Sequence, residues 1–260
     1  KMFEAIFALV LISLGVVEPK ADCGRYKTCI EVINNCSFPI WPGIQGTPLV
    51  EGGGFYLAAG TKKILGVPNG WSSGKIWART GCDEQFDCDT GSCGNSLQCE
   101  GRDGKPPYSV AEITLNQHMM KDYYRVSLVD GFNVPISIDV AEGTYKITKG
   151  GDFECKRAGG CSINLADEEH CPKELRYKVD GRTVACHSAC SAFDNDAFCC
   201  RGVHGRWETC QSADWPVDYP AKIFKKACSN VHVHLFGNPA ESSFSCRGKS
   251  GSAEYRVQFC

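Results

Sequence analysis

Several features are missing from this chain of 260 residues, and each absence narrows what it can do. Charge of one sign is absent: 28 Lys and Arg nearly cancel 30 Asp and Glu, leaving a formal net charge of -2. A partner held mainly by charge calls for a strongly basic or acidic balance, so no nucleic-acid partner is expected. There is no Cys-x-x-Cys pair, and the six histidines show no ligand spacing relative to the cysteines, which argues against a zinc site. A Gly-x-Ser-x-Gly nucleophile elbow is lacking, as are internal repeats, coiled-coil heptads and low-complexity tracts. Gly248-Lys249-Ser250 lacks the upstream glycine and the strand-to-helix context of a phosphate loop, and no cofactor is implied. After the first residues no apolar run is long enough to span a bilayer, so stable membrane insertion is not expected. The function therefore resides in a local site, and a monomer suffices to carry it.

Two features are abundant instead. Lys1 and Met2 precede an apolar run over residues 3–17, interrupted by Glu4 and Ser13, and a polar stretch follows over 18–20. Residues 1–21 read as a secretory signal, too short for the roughly 20 apolar residues that span a bilayer, with cleavage after Gly15 or after Ala21. All 18 cysteines lie beyond that run, and an even number in a secreted, extracellular chain points to a disulfide framework. Spacing leaves the connectivity open, with one exception. The adjacent Cys199 and Cys200 would close a strained ring if joined, so they reach separate partners, one upstream and one downstream.

The apolar pattern is mostly that of strands. Residues 28–33 and 38–41 carry β-branched and aromatic side chains separated by a turn at Asn34 and Asn35. Alternation then places Ile76, Ala78 and Thr80 on one face, and likewise Ala111, Ile113 and Leu115; Tyr124, Val126 and Leu128; Ile136, Ile138 and Val140; and Tyr255, Val257 and Phe259. Such period-two patterning with Gly and Pro punctuation predicts an antiparallel sandwich or barrel to which both chain ends contribute. Between about 155 and 246 cysteines become dense and alternation nearly vanishes, which predicts a disulfide-held lobe. Its helix candidates are 218–227, with Asp218 as cap and Lys225 and Lys226 complementing the dipole, and 187–193. Residues 82–99 pack four cysteines into a segment too short for a core.

Several stretches carry a resemblance to a known family: GKIWARTGC at 74–82, TGSCGNSLQC at 90–99, PPYSVAEITL at 106–115, DYYRVSLVDGFNVP at 122–135, CHSACSAFDNDAFCC at 186–200 and YRVQFC at 255–260. In these motifs, and in the order of sixteen cysteines, the chain from about Cys29 onward resembles the thaumatin-like proteins. That resemblance implies a mostly β fold: a flattened antiparallel β-sandwich core (about 28–81, 100–154 and 247–260), a small disulfide subdomain (about 82–99) and a disulfide-rich loop and helix lobe (about 155–246), all within a domain over 22–260. It also implies the bridges Cys36–Cys260, Cys82–Cys88, Cys93–Cys99, Cys155–Cys246, Cys161–Cys228, Cys171–Cys186, Cys190–Cys199 and Cys200–Cys210. Cys23 and Cys29 are additional, and their nearness suggests a ninth. Asn35-Cys36-Ser37 fits a glycosylation triplet, but a disulfide at Cys36 disfavours modification.

Many members of that family have an acidic cleft of one Arg, one Glu and three Asp, linked to β-1,3-glucan binding and, in some, to weak glucan hydrolysis. Here the Glu is Glu112 and one Asp is Asp130, whereas the Arg position is Lys75, another Asp position is Arg125, and the last Asp falls at about Gly237. Glu112 and Asp130 are the candidate catalytic pair, since glycoside hydrolysis ordinarily needs one protonated and one ionised carboxyl group. Arg125 projects from the opposite face to Tyr124 and Val126, as Glu112 does relative to Ala111 and Ile113. If those strands are neighbours, the two form a cross-strand ion pair, and the cation makes Glu112 a poorer acid. Lys75, Tyr123, Arg125 and Phe132 complete the expected ligand cleft, and Trp77 can add aromatic surface against a sugar, whereas Tyr124 reads as core. Asp83, Glu84, Asp87 and Asp89 read as a solvated acidic loop rather than a calcium site. The resemblance thus implies a defence protein that meets a polysaccharide such as β-1,3-glucan, or a microbial surface. Its alternatives are a weak endo-β-1,3-glucanase and a protein-binding inhibitor or structural extracellular protein.

Overall fold

A computed structural model of the protein describes residues 23–24, 27–116, 120–211 and 219–260. The expected leader and the expected helix cap Asp218 lie outside them. Thirteen strands follow in chain order: β1 (Lys27–Asn34), β2 (Trp41–Thr47), β3 (Lys62–Pro68), β4 (Ser72–Arg79), β5 (Val110–Thr114), β6 (Asp122–Ser127), β7 (Ile136–Val140), β8 (Tyr145–Lys146), β9 (Ala158–Gly159), β10 (Arg176–Val179), β11 (Arg182–Cys186), β12 (Phe244–Gly248) and β13 (Tyr255–Phe259). The helices are short: α1 (Ala189–Phe193), α2 (Asp196–Cys199) and α3 (Tyr219–Ala227).

Two sheets form the sandwich, one of order β3-β1-β13-β7-β9 and one of order β2-β4-β5-β6-β12-β8. Their inner faces carry the predicted alternating sets, including Ile76, Ala111, Val126, Ile138 and Val257, all fully buried in one core. Tyr124 of one sheet and Tyr255 of the other meet with ring centroids 5.2 Å apart, and the Tyr124 hydroxyl donates to the Lys156 carbonyl at 2.5 Å. Pairing is antiparallel except between β1 and β13, which run parallel. The first and last strands have the whole chain as their connection, so no tight turn imposes opposite directions on them.

Three strand expectations change. The strand expected at 38–41 begins only at Trp41 and runs to Thr47, because the chain bends over 36–38 where Cys36 bonds Cys260. The lobe is richer in strands than its weak alternation predicts: β10 and β11 form a hairpin, and β12 pairs with β6 inside the six-stranded sheet. Trp77, on the outer face of β4, is buried there with Cys93, Cys99, Tyr108 and Val110, because the small disulfide segment covers that face. Its indole N–H donates to the Gly91 carbonyl at 2.8 Å.

All nine expected bridges are present, and no cysteine is free. Cys199 reaches upstream to Cys190 and Cys200 downstream to Cys210. Among the described residues no helix is long and apolar enough to cross a membrane.

Glu154 organises the loop after β8. It accepts from the Thr148 hydroxyl and from the backbone N–H groups of Thr148, Lys149 and Gly150. These donors, the Thr148 hydroxyl foremost, hold its carboxyl down at about 2 from an ordinary 4.5. A depressed folded-state value means that this contribution is intact above about pH 4.5 and is lost as pH falls toward about 2. Glu154→Gln is expected to flatten the loss of stability across that window, read as the urea midpoint at successive pH values. A slope identical to that of the parent would show that Glu154 does not carry it.

Candidate functional site

The site is built on the outer face of the six-stranded sheet. Register places Lys75 opposite Glu112 and Glu112 opposite Arg125, while the next row, Ile76, Ala111 and Val126, points into the core. Because side chains alternate along a strand, burying one row commits the other to the outer face. The outer row is therefore Lys75, Glu112 and Arg125, flanked by Thr114 and Ser127.

Arg125 Nε donates to Glu112 Oε2 at 2.6 Å, as the cross-strand expectation required. Lys75 does not join them; its Nζ lies 3.0 Å from Asp103 Oδ1 on the loop after the small disulfide segment. Spacing carried no signal for Asp103, which sits in an irregular stretch among glycines and charges. Asp130 stands on the turn closed by the Gly131 N–H donating to the Leu128 carbonyl at 3.0 Å. Gly131 has φ +107°, and a Cβ there would lie 2.7 Å from Pro107 Cβ and 2.8 Å from the Cys186 carbonyl, so the turn that presents Asp130 requires glycine. Burial raises the Asp130 carboxyl above the ordinary aspartate range, against the Tyr108 hydroxyl and Lys75, which favour its ionised form. Burial and the nearby Asp130 in turn push the Tyr108 hydroxyl up.

The remaining wall comes from the lobe. The segment after α3 runs beside β6, with the His232 N–H donating to the Val126 carbonyl at 2.9 Å and the Leu128 N–H to the His232 carbonyl at 2.7 Å. This brings His232 and Leu235 to the sheet. Together with Lys75, Glu112, Arg125 and Asp130 they line an open cleft of about 440 Å³. His232 is only 2% exposed. Burial first, and then the charge of Arg125, lower its imidazole to about 4, with the Leu235 carbonyl acting the other way, so the ring is neutral at ordinary pH. Val231-His232-Val233-His234 reads in sequence as an alternation with one face polar, yet all four residues are buried. Gly237 abuts this wall: a Cβ there would lie 3.2 Å from both Cε1 and Nδ1 of His232. A side chain at this position would require the imidazole to give by a few tenths of an ångström.

The aromatic expectations divide. Tyr123 is exposed and precedes Arg125 on the same face of β6, but it is not among the residues that line the cleft. Phe132 is 0% exposed, with its backbone paired to Cys186, so it is a core residue and cannot meet a ligand. Trp77 is likewise removed by the small disulfide segment that packs on it. An aromatic ring at strand spacing satisfies a core as well as a ligand, and here burial decided. In the acidic loop, Asp83 Oδ1 accepts from the Gln85 and Asp87 N–H groups, each at 2.9 Å, and so caps its own turn.

Comparison with known proteins agrees with this architecture. Pathogenesis-related thaumatin-like protein 3.5 of Cryptomeria japonica is 37% identical over 262 residues, covering 97% of this chain and 98% of its own. A thaumatin-like protein of Arabidopsis thaliana is 40% identical over 238 residues, 87% of each chain. Among solved structures, the laminaripentaose-producing β-1,3-glucanase of Paenibacillus barengoltzii superposes with a TM-score of 0.57 over 90% of this chain and 74% of that one, a likeness of fold alone at 13% identity. The Thaumatin family matches residues 34–260, and this chain belongs to the thaumatin family.

Proposed function

We propose that the protein is a secreted defence protein that binds β-1,3-glucan, or a related fungal cell-wall polysaccharide, in this cleft without efficient turnover. Nine disulfides suit an oxidising extracellular compartment, and an open cleft with polar walls suits a hydroxyl-rich chain. The observation that carries the reading is the 2.6 Å bond from Arg125 to Glu112. Glycoside hydrolysis needs a proton donor and a second carboxylate beside the scissile bond. In this bond Glu112 is the acceptor, engaged by a cation where an acidic cleft would have another carboxylate.

One observation favours weak hydrolysis as a second reading. Asp130, raised by burial, can hold a proton at neutral pH better than an exposed aspartate, and Glu112 then serves as base or nucleophile. Incubation with insoluble β-1,3-glucan, measuring both sedimented protein and reducing ends released, separates the two. Retention with no release above a protein-free blank is expected. Release abolished by both Glu112→Gln and Asp130→Asn would establish the hydrolase instead, and neither retention nor release would overturn both readings.

A further inference from the structure

We propose that an apolar recess beside the cleft takes the acetyl methyl of a 2-acetamido sugar, so that an N-acetylated cell-wall polysaccharide is bound in preference to an unsubstituted glucan. This deepens the reading of the cleft as a polysaccharide site and rests on it. The recess, of about 140 Å³, lies between the α1–α2 pair and the segment that docks on β6. Val129, Ala189, Phe198, Val233 and Leu235 supply its apolar lining, and no Asp, Glu, Lys or Arg is among the residues around it. Val129 and Leu235 also line the cleft, so the two hollows share a rim. Leu235 is 54% exposed there, a large apolar side chain left in water that a ligand group reaching over the rim would cover.

The recess is held in shape from both sides. The Cys190–Cys199 bridge, itself part of the lining, ties α1 to α2, and the Phe193 and Phe198 rings pack with centroids 5.3 Å apart. Ser188 caps α1, its hydroxyl accepting from the Ser191 N–H at 3.2 Å. On the other side, Val233 and His234 follow His232, whose backbone is bonded to β6 through both its N–H and its carbonyl. Burial first, and then the charge of Lys225, lower the His234 imidazole, so it brings no charge to the recess at ordinary pH.

Size and chemistry select the occupant. An apolar hollow of roughly 150 Å³ admits a group about as large as benzene. A whole sugar ring would exceed it and would leave hydroxyls without partners, so a chain seated in the polar cleft can place only a side group there. On a cell-wall polysaccharide the small apolar side group is the acetyl methyl of a 2-acetamido substituent, whereas an unsubstituted glucan offers hydroxyls alone. One carbon more or less in a hydrophobic pocket changes discrimination by roughly tenfold or more.

The test uses the full chain with 13C-labelled alanine and valine methyl groups and compares chitopentaose with cellopentaose, which share a linkage and differ in the 2-acetamido group. Chitopentaose is expected to bind about tenfold tighter by calorimetry. Nuclear Overhauser contacts are expected from its acetyl methyl to the Ala189 and Val233 methyl groups. Ala189→Leu, which fills the recess, is expected to bring the two affinities to within about twofold of each other. Equal affinities in the parent, no acetyl contact to either methyl group at saturation, or a preference that survives Ala189→Leu overturns the proposal. The contacts are read in the unsubstituted protein, so the result does not depend on how well the leucine is accommodated. Laminarihexaose is titrated in parallel: its binding without any acetyl preference removes this inference alone, whereas no binding of any of the three removes the reading on which it rests as well.

Discussion

Replacing Cys36 and Cys260 together by serine is expected to lower the free energy of unfolding by about 4 to 5 kcal/mol, whereas replacing Cys82 and Cys88 lowers it by about 2. The first bridge joins residues 224 apart and the second residues 6 apart. In the chain-entropy account, a cross-link stabilises by restricting the unfolded ensemble, more so for a longer loop. The folded state holds Cys260 in other ways: its N–H donates to the Pro135 carbonyl at 2.8 Å, and the strand before it is paired on both sides. The serine variant should therefore keep its fold and its retention on glucan at low temperature. The comparison is made by guanidinium denaturation of the oxidised proteins. Equal losses from the two pairs would show that loop length is not what governs the framework.

Arg79→Met is expected to cost about 3 to 5 kcal/mol and to speed amide exchange across residues 81–99. Arg79 is 0% exposed, and burial lowers its guanidinium to about 10. It forms no ion pair among the described residues; backbone carbonyls of Trp41, Ser96 and Leu97 accept from Nε, Nη1 and Nη2 at 2.8, 2.8 and 2.6 Å. The guanidinium thus pins the small disulfide segment, through Ser96 and Leu97, to the edge strand β2. Methionine fills much of the volume but removes the donor from three part-buried carbonyls, each unmade bond costing about 1 to 3 kcal/mol and not additively. Arg79→Lys should recover only part of the loss, because one ammonium cannot span three carbonyls that a planar fork reaches at once. Calorimetry with hydrogen exchange checks both variants; a change under about 1 kcal/mol for Arg79→Met would sink the argument.

Much of this fold was legible along the chain. The strands β4, β5, β6, β7 and β13 announce themselves by alternation, since each buries one face, and pleating makes that burial a local pattern. The elements that escaped did so for identifiable reasons. β2 contains Pro42, Gly43 and Gly46, which read as punctuation, but an edge strand tolerates a residue without an N–H, and Gly43 is needed because a Cβ would lie 2.3 Å from the Trp77 ring. The β10–β11 hairpin carried a signal that dense cysteines obscured. Asp180 and Gly181 join its strands with φ of 49° and 76°, the left-handed pair that an Asp-Gly turn supplies. β12 lies among residues of the lobe in sequence, and only its partner β6 assigns it to the sheet.

The same division runs through the cleft. Residue order sufficed for the cysteine framework, the family likeness and the pair Glu112 and Arg125, because these are properties of neighbours or of two adjoining strands in register. It did not suffice for the bond of Lys75 to Asp103, the burial of Phe132 and Trp77, or the arrival of His232 beside Arg125. Those depend on which loop covers which face, and contacts between residues distant in sequence leave no period behind. The bridges hold the lobe, and it is the lobe, docked on β6, that supplies the histidine wall to a cleft in which the strands pair only Glu112 with Arg125.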